Sequence, residues 1–223
     1  MNFKIRIKNS LIFCLILLAT LRSFSQDNQN KFQYALDKFE KLDGNSLLQG
    51  GILFTGSSSI EFWKNPEKDF NNNQILNRGV GGFQMSNLIE NFDQIILKYH
   101  PKKVVVYCGD NDIKHDKSAE IVFGDFCTLY GMLKATLPEV KLYYISIKPS
   151  INRWPLVIEI LKANTMINEF LNTKDNGTYV DVFSQMISKN GLPKEKLFIE
   201  DGVHMTPKGY RLWTKILKPY ISE

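Results

Sequence analysis

Val104, Val105, Val106 and Tyr107 follow one another with no polar residue between them. A strand with one wet face alternates apolar and polar side chains, so an unbroken run of this kind is covered on both sides. A sheet held between two layers of helices gives such cover, and the rest of the chain supplies the layers. The run extends over Lys103–Cys108, and similar β-branched or aromatic runs lie at Gly51–Thr55, Gln74–Asn77, Lys141–Ser146 and Thr178–Val182.

Helical spacing fills the intervals. Leu88, Ile89, Phe92, Ile95, Ile96 and Tyr99 recur on one face, with Ser86 expected as N-cap and Pro101 beyond the end. Ile121, Val122, Phe126, Leu129 and Leu133 repeat the pattern before the fourth strand, and Ile158, Leu161, Ile167 and Leu171 roughly repeat it before the fifth. Thr206 and Pro207 open a last helix with Tyr210, Trp213, Ile216, Leu217 and Tyr220 on one stripe. Alternation of strand and helix implies parallel strands joined by right-handed crossovers. The expected fold is α/β: a three-layer α/β/α sandwich around a central parallel, flavodoxin-like sheet of about five strands.

The first residues do not fit this pattern. Lys4, Arg6 and Lys8 precede an uncharged apolar run from Leu11 to Leu21, followed by Ser23-Phe24-Ser25, a small-x-small site suited to cleavage before Gln26. A membrane-spanning helix needs roughly 20 apolar residues, more than this run offers. Residues 1–25 are therefore expected as a signal peptide and 26–223 as one folded domain, exported to the periplasm or the medium. The leader carries Lys4, Arg6, Lys8 and Arg22 and no anion, so its loss takes the formal charge from +5 to +1. A near-neutral mature chain gives no electrostatic case for nucleic acid or an anionic membrane. Cys108 and Cys127 remain, and an exported address permits either a disulfide or two free thiols.

In sheets of this kind, ligands sit outside the carboxyl ends of the strands. After the first strand comes Gly56-Ser57-Ser58-Ser59, a glycine and three hydroxyls at a strand-to-helix turn, readable as a helix cap or as a nucleophile. After the second comes Asn77-Arg78-Gly79-Val80-Gly81-Gly82, whose glycines let a backbone N–H approach a substrate or simply form a loop. Gly109-Asp110-Asn111-Asp112 follows the third, where an Asn side chain can close an Asx-turn or donate to an oxyanion. Before the last helix, Asp201-Gly202-Val203-His204 places a carboxylate three residues ahead of an imidazole. That spacing lets the carboxylate accept the ring Nδ1–H and leaves Nε2 free as a base.

In order and spacing, the four blocks resemble those of the SGNH hydrolases, also called GDSL-like lipases and acylhydrolases, over nearly the whole mature chain. The residues by themselves leave Ser57, Ser58 and Ser59 open as nucleophile; the resemblance, matching Gly56-Ser57-Ser58 to the family's Gly-Asp-Ser, selects Ser58. It implies Asp201 and His204 as the other triad members and an oxyanion hole of the Ser58 N–H, the Gly82 N–H and the Asn111 side chain, with Gly81 or Gly79 as alternatives to Gly82. Ser57 departs from the family's Asp, which bears on turn geometry and substrate range.

The resemblance further implies a serine esterase acting on a small-molecule, glycan or lipid ester, of short-acyl, sugar O-acetyl or lysophospholipid type. It implies no cofactor and no metal; the near-neutral mature charge argues against a nucleic-acid partner and the short apolar run against stable membrane insertion after leader removal, and the oligomeric state stays open. Two other classes remain. A metal-dependent phosphoesterase would use Gly109–Asp112 as ligands, although His100, His115 and His204 are the only histidines. A non-catalytic carbohydrate-binding protein would use the same fold without chemistry. Lys148–Leu156, with Arg153 and Trp154, is read as surface packing first and as pocket lining second, and Trp63 as a packing residue.

Overall fold

The computed structural model describes residues 32–44 and 47–222, so the expected leader lies outside the described residues. The chain divides into two units, Met1–Gly44 and Asn45–Glu223. The described part of the first is a helix, α1, over residues 32–43.

The second unit is built on five strands: β1 (Ile52–Gly56), β2 (Ile75–Gly79), β3 (Lys103–Tyr107), β4 (Lys141–Ile145) and β5 (Gly177–Val180). Every pairing is parallel and the order is β2-β1-β3-β4-β5. The helices are α2 (Ser58–Glu61), α3 (Pro66–Asp69), α4 (Met85–Glu90), α5 (Phe92–Ile95), α6 (Asp110–Lys114), α7 (Ala119–Thr136), α8 (Val157–Leu171), α9 (Phe183–Met186) and α10 (Pro207–Ile221).

The apolar run of β3 behaves as its composition requires. Val105 and Tyr107, with Tyr143 and Ile145 of β4, pack into one core that includes Trp213, Leu217 and Ile221 of α10. On the other face Tyr144 meets Phe126 of α7, ring centroids 4.9 Å apart. Val104, Val105 and Val106 are fully buried, each contributing about 1.5–3 kcal/mol relative to an exposed side chain. The result is the three-layer α/β/α sandwich.

Strand ends fall within two residues of expectation, and the early end of β5 has a local cause. β5 stops at Val180 because Ser146 Oγ, beyond β4, accepts the N–H groups of Val182 and Phe183 at 3.0 Å each. A side chain there replaces the carbonyl that would have extended the ladder.

Three helical expectations need correction, the simplest being Ile121, which is 51% exposed beside the buried Val122, Phe126, Leu129 and Leu133 of α7. The crossover between β2 and β3 is not one helix capped by Ser86 but α4, α5 and a 3-10 turn over Leu97–Tyr99. Its N-cap is Gln84, whose N–H donates to Asn87 Oδ1 at 3.0 Å, while the Asp112 carboxylate takes the Met85 N–H from across the fold. The helix breaks at Asn91, whose side chain donates to Asn87 O at 2.9 Å, a local bond of the kind that competes with the helical ladder. In α8 the buried stripe is Ile160, Ala163, Ile167 and Leu171, and the expected Ile158 and Leu161 are 75% and 45% exposed. Reading Ile158 as part of the stripe placed its first turn on the wrong face. Cys108 and Cys127 are both free thiols.

Candidate active site

Because β1 lies between β2 and β3, the loops leaving all three strands open at one edge of the sheet. The register makes this close: Gly56 is the Cα partner of both Gly79 and Tyr107. Gly56 has φ +127°, and a Cβ there would stand 1.9 Å from Tyr107 O, so only glycine fits. The Ser57 N–H donates to Tyr107 O at 2.9 Å and Val80 N–H to Gly56 O at 2.9 Å, which pins the turn to both neighbours.

The turn sorts the three serines. Ser57 and Ser59 are buried, with hydroxyls that have no partner among the described residues, and Ser58 is half-buried. Ser58 Oγ lies 2.9 Å from His204 Nε2, although 146 positions separate the two residues. On the far side of the ring, His204 Nδ1 is 2.5 Å from Asp201 Oδ2.

The loop carrying Asp201 and His204 is a pinched turn. An antiparallel bridge joins Phe198 to Met205, Ile199 N–H donates to His204 O at 2.9 Å, and Gly202 turns the chain at φ +64°. Thr206 then caps α10, its hydroxyl accepting from Gly209 N–H. Asp201 Oδ1 accepts the N–H groups of Val203 and His204 at 2.8 Å each. Burial pushes the Asp201 carboxyl up, but the His204 ring and these two N–H groups outweigh it and hold it down at about 2. An ionised Asp201 accepts from Nδ1, which leaves Nε2 to accept from the Ser58 hydroxyl.

The other expected residues lie across the same edge. Gly82 is exposed in the turn after β2 with φ +87°. Gly79 is committed to packing: a Cβ there would stand 2.3 Å from Glu61 N, and its N–H donates to Asn77 Oδ1. Asn111 is buried in the first turn of α6, with Nδ2 donating to Phe83 O at 3.0 Å and Oδ1 accepting from Arg153 Nη2 at 2.9 Å.

Behind Asn111 lies a set of charges that sequence reasoning missed. Asp110 Oδ2 accepts from Tyr107 Oη at 3.0 Å and Lys148 Nζ at 3.3 Å, and Arg153 Nη1 stands 2.8 Å away as an ion pair without hydrogen-bond alignment. The side chains of Lys148, Asp110 and Arg153 are 0%, 4% and 13% exposed, so Lys148 and Arg153 are not surface side chains, while Ile151, Asn152 and Pro155 of the same stretch are exposed as its composition suggested. Burial raises the Asp110 carboxyl, and Lys148, Arg153 and Tyr107 together bring it below the ordinary carboxylate value. Burial likewise pulls the Lys148 ammonium below the ordinary lysine value, with Asp110 opposing. The available signal was position: Lys148 follows a buried strand by three residues and so cannot be far from the neighbouring strand's end.

Asp112, the other carboxylate of this segment, is occupied by Lys117 Nζ at 2.9 Å as well as by Met85 N–H. With Asp110 and Asp112 both paired to cations, Gly109–Asp112 is poorly suited to ligate a metal. Among the described residues no cluster of three His, Cys, Asp or Glu side chains has metal-binding geometry.

His204 also borders a cavity of about 580 Å³. Phe62, with its ring centroid 4.8 Å from that of His204, and Tyr210 supply aromatic walls, Ile199, Met205 and Pro207 apolar ones, and Lys64, Asn65 and Arg211 polar ones. Trp63 is 2% exposed and holds Asp69 through its indole N–H at 2.7 Å, so it is chiefly a packing residue.

In this α/β/α sandwich a serine, a histidine and an aspartate meet at the carboxyl edge of the sheet. The profile of the GDSL-like Lipase/Acylhydrolase family matches residues 44–212, and the chain belongs to that family. Among solved structures it is similar to a candidate platelet activating factor from Streptococcus pneumonia, at 23% identity and TM-score 0.80, covering 92% of this chain and 99% of that one. A GDSL-like lipase from Bacteroides thetaiotaomicron is similar at 22% identity and TM-score 0.70, over 85% and 98%. A carbohydrate esterase of family 3 from Talaromyces cellulolyticus is similar at 17% identity and TM-score 0.64, over 77% and 96%. These likenesses show the fold. No curated protein matches the chain.

Proposed function

We propose that the protein is a serine esterase that removes short acyl groups, of the sugar O-acetyl type, with Ser58 as nucleophile, His204 as general base and Asp201 as its orienting carboxylate. The observation that carries this reading is the continuous chain of contacts from Ser58 Oγ through His204 to Asp201, 2.9 Å and then 2.5 Å. His204 Nε2 takes the hydroxyl proton as Ser58 Oγ bonds to the ester carbonyl carbon. The carbonyl oxygen becomes an oxyanion, met by the Ser58 and Gly82 N–H groups and the Asn111 side chain. On collapse the alcohol leaves with the proton that His204 held, and water then releases the acid from Ser58 by the same steps.

His204 hands its proton to the leaving oxygen, so the cavity beside it receives the alcohol. Phe62 and Tyr210 beside Lys64, Asn65 and Arg211 give a sugar both ring faces and polar partners, which supports a sugar alcohol although Ile199, Met205 and Pro207 add apolar surface. The carbohydrate esterase among the similar structures supports the same choice. Export belongs to the proposal, with a mature chain that begins at Gln26 once residues 1–25 are removed.

A panel of aryl esters from acetyl to long acyl, with an acetylated oligosaccharide, tests this on protein recovered from the periplasm or medium and sequenced at its N-terminus. The expected result is fastest turnover on acetyl substrates, Ser58 labelled by an organophosphorus probe, and loss of turnover in Ser58→Ala with an unchanged melting temperature. Activity retained in Ser58→Ala would remove the triad reading.

A further inference from the structure

The geometry points to Arg153 as a positioning residue for the oxyanion donor Asn111, one the family blocks in this sequence do not include, with Asp110, Lys148 and Tyr107 holding Arg153 in place. The inference rests on the esterase reading and deepens it.

The argument begins with the amide of Asn111. A carboxamide in a buried site can lie either way round, and only its neighbours decide which end is oxygen. Here both neighbours are unambiguous. A guanidinium only donates, so the end facing Arg153 Nη2 at 2.9 Å is Oδ1; a backbone carbonyl only accepts, so the end facing Phe83 O at 3.0 Å is Nδ2. Phe83 takes one of the two N–H groups of Nδ2 and leaves the second for a ligand. Without Arg153 the oxygen end loses its partner, and the amide is free to rotate its acceptor towards the developing oxyanion.

Arg153 itself is fixed by its fork. Nη2 donates to Asn111 Oδ1 at 2.9 Å while Nη1 stands 2.8 Å from Asp110 Oδ2 as an ion pair not aligned as a hydrogen bond, so one guanidinium meets two adjacent residues of α6. A lysine, with a compact ammonium in place of a planar fork, does not reproduce this grip. The cost of burying Asp110 and Arg153 is offset by Tyr107 at 3.0 Å and Lys148 at 3.3 Å on the same carboxylate oxygen. Three of these groups come from elements flanking the site: Tyr107 ends β3, Asp110 opens α6, and Lys148 follows β4. The cluster therefore fixes the loop of Arg153 against the oxyanion side of the site. The cation beside Oδ1 also polarises the amide, which strengthens Nδ2–H as a donor to negative charge.

A residue that binds substrate changes KM, one that only holds the fold changes melting temperature, and one that aims Asn111 changes kcat through Asn111. Kinetics of Arg153→Met, Asn111→Ala and the double variant on an acetyl ester separate these roles. The expected result is a kcat lowered on the order of 10²-fold in Arg153→Met with KM within about threefold of wild type. In the Asn111→Ala background the same substitution should change kcat by less than about threefold, because the group it aims is gone. If Arg153→Met does not fold, Arg153→Lys carries the comparison, with a smaller fall in kcat that also disappears in the Asn111→Ala background. Equal fold-losses in both backgrounds, or a raised KM with unchanged kcat, overturn the inference and leave the esterase reading standing. Absence of any Ser58-dependent hydrolysis in wild type overturns both.

Discussion

Two polar constellations face each other across the edge of the sheet, and they are stabilised in opposite ways. Asp201 and His204 sit on a surface turn with side chains 42% and 25% exposed, whereas Asp110 and Lys148 are 4% and 0% exposed. The surface pair has water as an alternative partner in every protonation state, so its contacts add little to folding and are free to serve chemistry. The buried set has no such alternative: each charge is tolerable only while the others are present. Substitutions on the two sides should therefore separate in stability: the surface pair loses activity with little change in folding, whereas the buried set loses stability, and activity only by way of Arg153 and Asn111.

Asp201→Asn probes the surface side and carries the largest expected effect. An amide at this position presents the wrong hydrogen-bonding end to Nδ1 and turns the ring towards the tautomer in which Nε2 is protonated, so kcat should fall by a factor on the order of 10⁴. Melting temperature should stay within about 1–2 °C of wild type, since exposed substitutions of this kind change stability little. Steady-state kinetics and thermal unfolding of the same sample check both halves. A large loss of stability with modest loss of turnover would reverse the comparison.

Asp110→Asn probes the buried side. It keeps size and some hydrogen bonding but leaves Lys148 and Arg153 facing each other without a counter-charge, which should cost about 3–5 kcal/mol of folding stability. Denaturant unfolding reads this directly. A loss below about 1 kcal/mol would mean that the cations find other partners, and the buried set would then not hold Arg153 as inferred.

The same contrast governs what the sequence disclosed. Val104–Tyr107, and α7 with its buried Val122, Phe126, Leu129 and Leu133, follow patterns that repeat over one element, and such patterns need no knowledge of neighbours. Composition could not separate Ser57, Ser58 and Ser59, because what distinguishes them is which hydroxyl a turn of φ +127° at Gly56 aims at a histidine 146 positions away. The break at Asn91 and the outward face of Ile158 were illegible for a related reason: a side-chain bond to the backbone and a half-turn of phase leave the hydrophobic spacing nearly unchanged. Lys148 and Arg153 were missed because charged residues in a loop are ordinarily solvated, and only the adjacency of β3 and β4 puts Asp110 within their reach.

The smallest expected effect lies in the pH dependence of stability, and it sharpens the contrast further. Asp201 is held at about 2 against an ordinary 3.8, so between these values the unfolded chain takes up the proton that the folded one refuses. A carboxylate with a lowered folded pKa stabilises fully above its ordinary value and loses that contribution as the pH falls from about 4 towards 2. Asp110 is lowered too, by Lys148, Arg153 and Tyr107 against the effect of its burial, so the sign is shared while the size is not. Solvent screens Asp201, whereas nothing screens Asp110. The unfolding midpoints of Asp201→Asn and wild type should thus lie close together at pH 6 and converge on acidification, while the wide gap for Asp110→Asn should narrow over the acid range. Unfolding curves for the three proteins at closely spaced pH values measure this. If the Asp201→Asn gap matched that of Asp110→Asn, or widened as the pH fell, the surface turn would be contributing to the fold as the buried cluster does, and the separation of chemistry from stability would fail.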